Sequence, residues 1–197
     1  MRRKMGIALG LLLITALAFV AYAFKSKDIE TPQFTVLRSY GEVQIRQYPQ
    51  MLVAKTSLSN RSYEKSGSNG FRTIAGYIFG GNKTQQKIAM TAPVVMEMGD
   101  SASMYFVMPK SYSKSQLPEP NSADVSIVEE SAKVLAVITY GGFSSDEKIK
   151  LHCAALEKVL LENNIQTKGS FMFMGYNAPW DVVNRKNEVA IEIISGF

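Results

Sequence analysis

The chain carries one histidine, His152, and one cysteine, Cys153, and this scarcity decides much of its chemistry. A structural zinc site takes about four Cys or His ligands, twice what is available. On a helix, neighbouring residues are turned ~100° apart, so His152 and Cys153 are poorly placed to form a thiolate–imidazole pair. A single cysteine also excludes an intrachain disulfide. Neither a Gly-rich phosphate loop nor a nucleophile elbow occurs. The ten methionines include two spaced pairs, Met96/Met98 and Met172/Met174. On strands, each pair would present two thioethers on one face, a donor set suited to Cu(I). Phe171 and Phe173 alternate with the second pair, and Met is an adaptable core filler, so packing is the expected role. The residues predict no metal site and no catalytic constellation of these kinds.

The elements that must position the remaining side chains follow from periodicity. Strands are expected at 34–38, 43–48 and 52–56. Val43 and Ile45 alternate with Gln44 and Arg46, the pattern of a half-buried strand. Residues 60–70, rich in Ser, Gly and Asn, read as a loop. Phe71, Ile74, Ala75 and Ile78 recur at i, i+3, i+4 and i+7, one face of a short helix ended by Gly80-Gly81-Asn82. Strands are expected again at 87–97 and 103–109, with Pro118 and Pro120 in a connecting loop. The second half repeats the plan: strands at 125–130 and 133–140, a helix opened by Ser144 and Glu147 at capping-box spacing and running to about Glu162, then strands at 171–176 and 189–194. Val43, Ile45 and Ala54 map onto Val125, Ile127 and Ala136 at one offset of 82 residues, which with the repeated element order indicates an internal duplication. The expected fold class is α+β: a pseudo-symmetric, distorted β-barrel of two ββαββ repeats with two flanking helices.

An N-terminal apolar helix is expected to precede that domain. Arg2, Arg3 and Lys4 lead an uncharged run from Met5 to Phe24. Roughly 20 residues at ~1.5 Å each would cover the ~30 Å hydrocarbon core of a bilayer. Ala21-Tyr22-Ala23 also reads as a signal-peptidase site. Residues 1–24 are therefore a signal peptide or a membrane anchor, 25–33 a linker, and 34–197 the folded domain. The basic flank places the domain across the membrane, exported and either periplasmic or membrane-anchored. Taking the segment's three basic residues from the 22 leaves 19 against 17 acids, a net charge of +2. No cluster of Lys and Arg interleaved with aromatics follows, so nucleic acid is not an expected partner.

Two stretches resemble signatures of the SOUL heme-binding family. One is Phe71-Arg-Thr-Ile-Ala-Gly-Tyr-Ile-Phe-Gly-Gly-Asn82 followed by Lys87-Ile-Ala-Met-Thr-Ala-Pro-Val94. The other is Gly175-Tyr-Asn-Ala-Pro-Trp180 followed by Arg185-Lys-Asn-Glu188, with Gly141-Gly-Phe143 between them. The resemblance runs from about Phe34 to Ile194. It implies a barrel of two ββαββ units and reversible, non-catalytic binding of heme or related tetrapyrroles, as a carrier or buffer. It also implies a hydrophobic pocket between the first helix and the loop joining the last two strands. On this chain those regions are Phe71, Ile74, Ala75 and Ile78, and the segment Tyr176 to Trp180, with Tyr176, Ala178, Pro179 and Trp180 as its candidate contacts. Arg72 and Arg185 are the candidates to meet propionates, and His152 and Tyr176 the candidates for heme iron. Hydrophobic enclosure with little or no protein ligation is the expectation.

Two other functions remain open on the sequence. The duplicated ββαββ plan also resembles small-molecule effector-binding domains, some relatives of which are hydrolases. Such a site would pair a buried Glu with a Tyr, here Glu157 with Tyr176. The third reading is an interaction protein whose barrel presents surfaces at a membrane.

Overall fold

The computed structural model describes residues 29–178 and 181–195. The segment 1–24, residues 25–28 of the linker, Pro179 and Trp180 lie outside the described residues. Among the described residues no helix is long and apolar enough to cross a membrane.

Among the described residues nine strands and two longer helices follow in the order β1 (Thr35–Tyr40), β2 (Val43–Tyr48), β3 (Met51–Ser57), α1 (Tyr63–Ile78), β4 (Val94–Glu97), β5 (Ser103–Val107), β6 (Ser126–Glu130), β7 (Lys133–Gly141), α2 (Asp146–Glu162), β8 (Gln166–Gly175) and β9 (Lys186–Ser195). All strand pairs are antiparallel, and they form one sheet in the order β1-β2-β7-β9-β8-β4-β5-β3-β6. Read outward from the central β4/β8 ladder, one side runs β4-β5-β3-β6 and the other β8-β9-β7-β2. These are equivalent orders under a pseudo-two-fold axis relating β2-β3-α1-β4-β5 to β6-β7-α2-β8-β9. The offset of 82 residues has a structural meaning. Ile45 pairs with Ala136 across β2/β7, and its counterpart Ile127 pairs with Ala54 across β6/β3. One Ile–Ala cross-strand contact therefore occurs twice.

The sheet curls but does not close. Its edges are β1 and β6, so it is a half-barrel and not the barrel the sequence led us to expect. Closure needs a ladder between those edges. β1 is mostly exposed and carries a register shift between Val36 and Arg38, a feature that blunts an edge.

Both helices pack on one face of the sheet, where Ile74, Tyr77 and Ile78 of α1 and Ile149, Leu156 and Leu160 of α2 meet Ile45, Met96, Phe106, Ala136, Phe173 and Val189. The opposite face has a smaller apolar cluster of strand residues, including Val53, Tyr105, Val137, Met172 and Met174. The two methionine pairs thus face different sides: Met96 pairs across the ladder with Phe173, whereas Val95 pairs with Met174.

Helix α1 begins eight residues earlier than periodicity indicates. Ser62 caps it, its hydroxyl accepting the Lys65 N–H at 3.2 Å. The face turned to the sheet is small there, with Ser66, Gly67 and Gly70 buried. A Cβ on Gly70 would lie 2.4 Å from the Leu58 side chain and 3.2 Å from Met104 Sδ, so glycine lets the helix approach closely. The first turns therefore carry no apolar stripe for a pattern search to find. The cap of α2 is Ser145, one residue beyond the expected Ser144, and its hydroxyl accepts the Lys148 N–H at 3.2 Å.

The two helix N-termini meet near the pseudo-axis. The Asp146 carboxylate accepts the Tyr63 N–H at 2.7 Å and the Ser62 hydroxyl, while Glu64 accepts the Asp146 N–H at 3.3 Å. Carboxylates here offset two converging positive dipole ends. The ridge they form separates two clefts on the helical face.

Candidate functional site

The more enclosed cleft lies between the first half of α1 and the central strands, with a volume of about 290 Å³. Tyr63, Gly67 and Phe71, spaced by one helical turn, form its wall. Val94 and Met96 of β4, Met104 of β5, and Phe173 and Gly175 of β8 form an apolar floor; Asn177, Arg185 and Asn187 close the end. Gly67 leaves room for the Tyr63 ring, since a Cβ there would lie 3.2 Å from it, a tight contact. That ring packs edge-on against Phe173 at 4.8 Å, and Phe71 against Phe106 at 5.4 Å.

The loop from 176 to 186 is held by its own polar groups. Asn177 Oδ1 accepts the Lys186 N–H at 2.7 Å, and the Ala178 N–H donates to Asp181 Oδ2 at 3.0 Å. Arg185 Nη1 donates to the carbonyls of Ala178, at 3.0 Å, and Asp181, while its guanidinium lies 4.6 Å from the Phe143 ring centre. Asn187 Nδ2 donates to the Gly142 carbonyl at 2.7 Å. The Gly141-Gly-Phe143 motif thus buttresses the loop, and Gly142 adopts φ +81°, a region that favours glycine. Arg185 Nε is buried and finds no partner among the described residues, an orphan donor on the cleft wall that calls for an acceptor.

Strand alternation sends the neighbouring residues to the other face of the sheet. There Glu188, 0 % exposed, accepts from Tyr176 Oη at 2.5 Å and from Arg46 Nη1, Thr139 Oγ1 and Lys186 Nζ, each at 3.0 Å. Burial alone would raise the Glu188 pKa, but the Tyr176 hydroxyl, Arg46 and Lys186 outweigh it and hold the carboxyl below its ordinary range. Burial and the same carboxylate push the Tyr176 phenol far up. The cavity beside this cluster is about 20 Å³, room for about one water.

A family model for SOUL heme-binding proteins matches residues 29–192. The chain belongs to the SOUL heme-binding protein family. This SOUL chain is 29% identical over 160 residues to heme-binding protein 2 of Mus musculus, covering 76% of the chain and 77% of that protein. The Homo sapiens protein of the same name matches at the same identity and coverage. Its fold is shared by the C-terminal domain of EcmrR, at TM-score 0.60 and 10% identity over 78% of this chain and 97% of that one. A hydrolase from Listeria innocua follows at TM-score 0.55 and 6% identity, covering 80% and 94%.

The SOUL fold brings together some of the expected site residues and separates others. Phe71 lines the cleft, but Ile74, Ala75 and Ile78 are 0 %, 6 % and 1 % exposed, do not line it, and are packed in the core. They lie on the face of α1 that meets the sheet, whereas the cleft is walled by the adjoining face one and two turns earlier. Tyr176 points to the opposite face, and Ala178 serves loop closure through its backbone. Arg72 is exposed and off the cleft, while Arg185 lines it. His152 stacks on Tyr140 at 3.9 Å and 14°, with Nδ1 2.7 Å from the Lys148 carbonyl. It belongs to the α2–β7 packing. Glu157 is exposed on α2, so the pairing with Tyr176 does not form; the partner of Tyr176 is Glu188. Sequence reasoning missed Tyr63, Gly67 and Asn187, while Asn177 lies in the expected Tyr176–Trp180 segment. The i, i+4, i+8 spacing of Tyr63, Gly67 and Phe71 was the available signal. The Gly80-Gly81-Asn82 segment has a structural role: Asn82 is 1 % exposed and donates to the carbonyls of Tyr77 at 3.1 Å and Gln86 at 2.7 Å.

Proposed function

We propose that this chain binds heme or a related tetrapyrrole reversibly in the cleft between α1 and the β8–β9 loop, as a non-catalytic carrier or buffer. We further propose that it works outside the cytoplasm, exported or anchored by residues 1–24. The observation that carries the binding site is an apolar floor of Val94, Met96, Met104 and Phe173 ending at Arg185, whose Nε lacks a partner among the described residues. A porphyrin has that polarity, an apolar disc with carboxylates on one edge. At about 290 Å³ the cleft lies at the low end of ligand sites, ~300–1,000 Å³. It would grip part of the macrocycle and leave the rest exposed, which suits reversible binding. His152 and Tyr176 stand elsewhere, so retention rests on enclosure, at ~25 cal/mol per Å² of apolar area before association costs.

Catalysis of the hydrolase type has less support. Glu188, the buried carboxylate beside Tyr176, is occupied by four donors, and the cavity that Tyr176 borders holds about one water. A hemin titration tests the proposal. A Soret band should grow to saturation with quenching of Trp180, and Trp180→Ala should weaken binding several-fold while His152→Ala leaves it unchanged. A collapse of affinity with a shifted Soret band in His152→Ala would overturn the site.

A further inference from the structure

The pseudo-two-fold axis repeats the cleft on the other side of the ridge. This second cleft, of about 510 Å³, lies between the first turns of α2 and the far end of the β4/β8 ladder. Its floor is Met98, Phe171, Ile149 and Cys153, and Arg61 and Lys150 stand at its rim. Both cations are exposed, and neither is ion-paired among the described residues. The acid that also borders the cleft, Asp146, is already engaged by the Ser62 hydroxyl and the Tyr63 N–H.

We infer that this second cleft binds a single-chain amphiphile with an anionic head, of the long-chain carboxylate class. The aliphatic chain would lie on Met98, Phe171, Ile149 and Cys153, and the carboxylate between Arg61 and Lys150. Apolar area removed from water drives the first contact, and charge-assisted hydrogen bonds to two unpaired cations select the head. The cleft is the more open of the two, so it suits a flexible chain better than a rigid disc. The inference stands apart from tetrapyrrole binding in the first cleft.

Cys153 supplies a site-specific probe, being the chain's only cysteine and half-buried on the cleft floor. Its thiol is pushed up to about 11 by burial and by Glu157, so alkylation by N-ethylmaleimide at mildly alkaline pH is slow enough to follow by mass spectrometry. Monomeric oleate should slow that alkylation at least fivefold, whereas oleyl alcohol and vesicles of phosphatidylglycerol should not. The double variant Arg61→Glu/Lys150→Glu, checked by circular dichroism to melt like the parent, should lose the protection while titrating with hemin as before. An unchanged alkylation rate with oleate would overturn the proposal, as would equal protection by oleyl alcohol, protection only by vesicles, or protection that survives the double variant.

Discussion

Replacing Glu188 by alanine should destabilise the fold more than any single surface change. The carboxylate is 0 % exposed and accepts from Tyr176, Arg46, Thr139 and Lys186 at 2.5–3.0 Å. Truncation strands Arg46, itself 5 % exposed, as a buried cation without its counter-ion. Breaking a buried pair from one side costs about 3–5 kcal/mol, against about 5–15 kcal/mol for a whole domain. At about 2–4 °C per kcal/mol for a chain of this size, the melting midpoint should fall by roughly 6–20 °C. The Lys186 contact adds little, because that side chain is 44 % exposed and screened. Removing both buried charges, as Arg46→Met with Glu188→Leu, should recover much of the loss, since apolar replacement of both partners is often neutral. The effect also has a pH signature. The folded pKa of Glu188 lies below its unfolded value of 4.5, so its stabilisation is complete at neutral pH and fades as pH falls below 4.5 through the depressed folded value. Glu188→Gln should therefore lie well below the parent at pH 7 and converge on it in acid. Urea unfolding followed by circular dichroism measures all three variants. A loss below about 1 kcal/mol for Glu188→Ala, or a gap to Glu188→Gln that widens in acid, would refute the reasoning.

Further outcomes follow from the helical face and the termini. Arg185→Ala should weaken hemin about tenfold more than it weakens a porphyrin dimethyl ester, the difference expected for one charge-assisted hydrogen bond, any loss shared by both ligands reflecting the loop it holds; equal losses for both ligands would remove Arg185 as the propionate partner. Ile74→Ala should cost about 2–5 kcal/mol of stability as a core cavity yet titrate normally with hemin while folded, whereas Phe71→Ala, which also loses its packing on Phe106, should lose affinity even under conditions where circular dichroism shows it folded. The reverse split would return the pocket to the 74/78 face. A fusion of residues 1–40 to a reporter active only outside the cytoplasm should be active, because Arg2, Arg3 and Lys4 precede the uncharged run. Cytoplasmic activity would defeat the export proposal.

The fold was more legible than the site. Alternation placed β2 at its observed limits, and the offset of 82 residues reported a duplication whose pairing, Ile45 with Ala136 and Ile127 with Ala54, depends on that equivalence. The start of α1 was hidden because Ser66, Gly67 and Gly70 face the sheet as small residues, where a periodicity search looks for large apolar ones. The expected strand over 87–97 shortened to Val94–Glu97. An apolar helix face can mark a core or a pocket, and periodicity does not separate the two, which is how Ile74, Ala75 and Ile78 came to be expected in the site. Glu188 could not be seen as a hub, because Arg46 lies 142 positions away in sequence and only the β2-β7-β9 order brings them together.

The central claim, that heme lies between α1 and the β8–β9 loop, is tested most directly by paramagnetic broadening of amide resonances on adding hemin, with zinc protoporphyrin as the diamagnetic control. Signals from residues 63–71, 94–96, 173–177 and 185–187 should broaden at substoichiometric hemin, while those of 149–156 on α2 and of Val53 and Val137 on the opposite face stay sharp. Broadening centred on His152 and its neighbours, with residues 63–71 unaffected, would contradict the account.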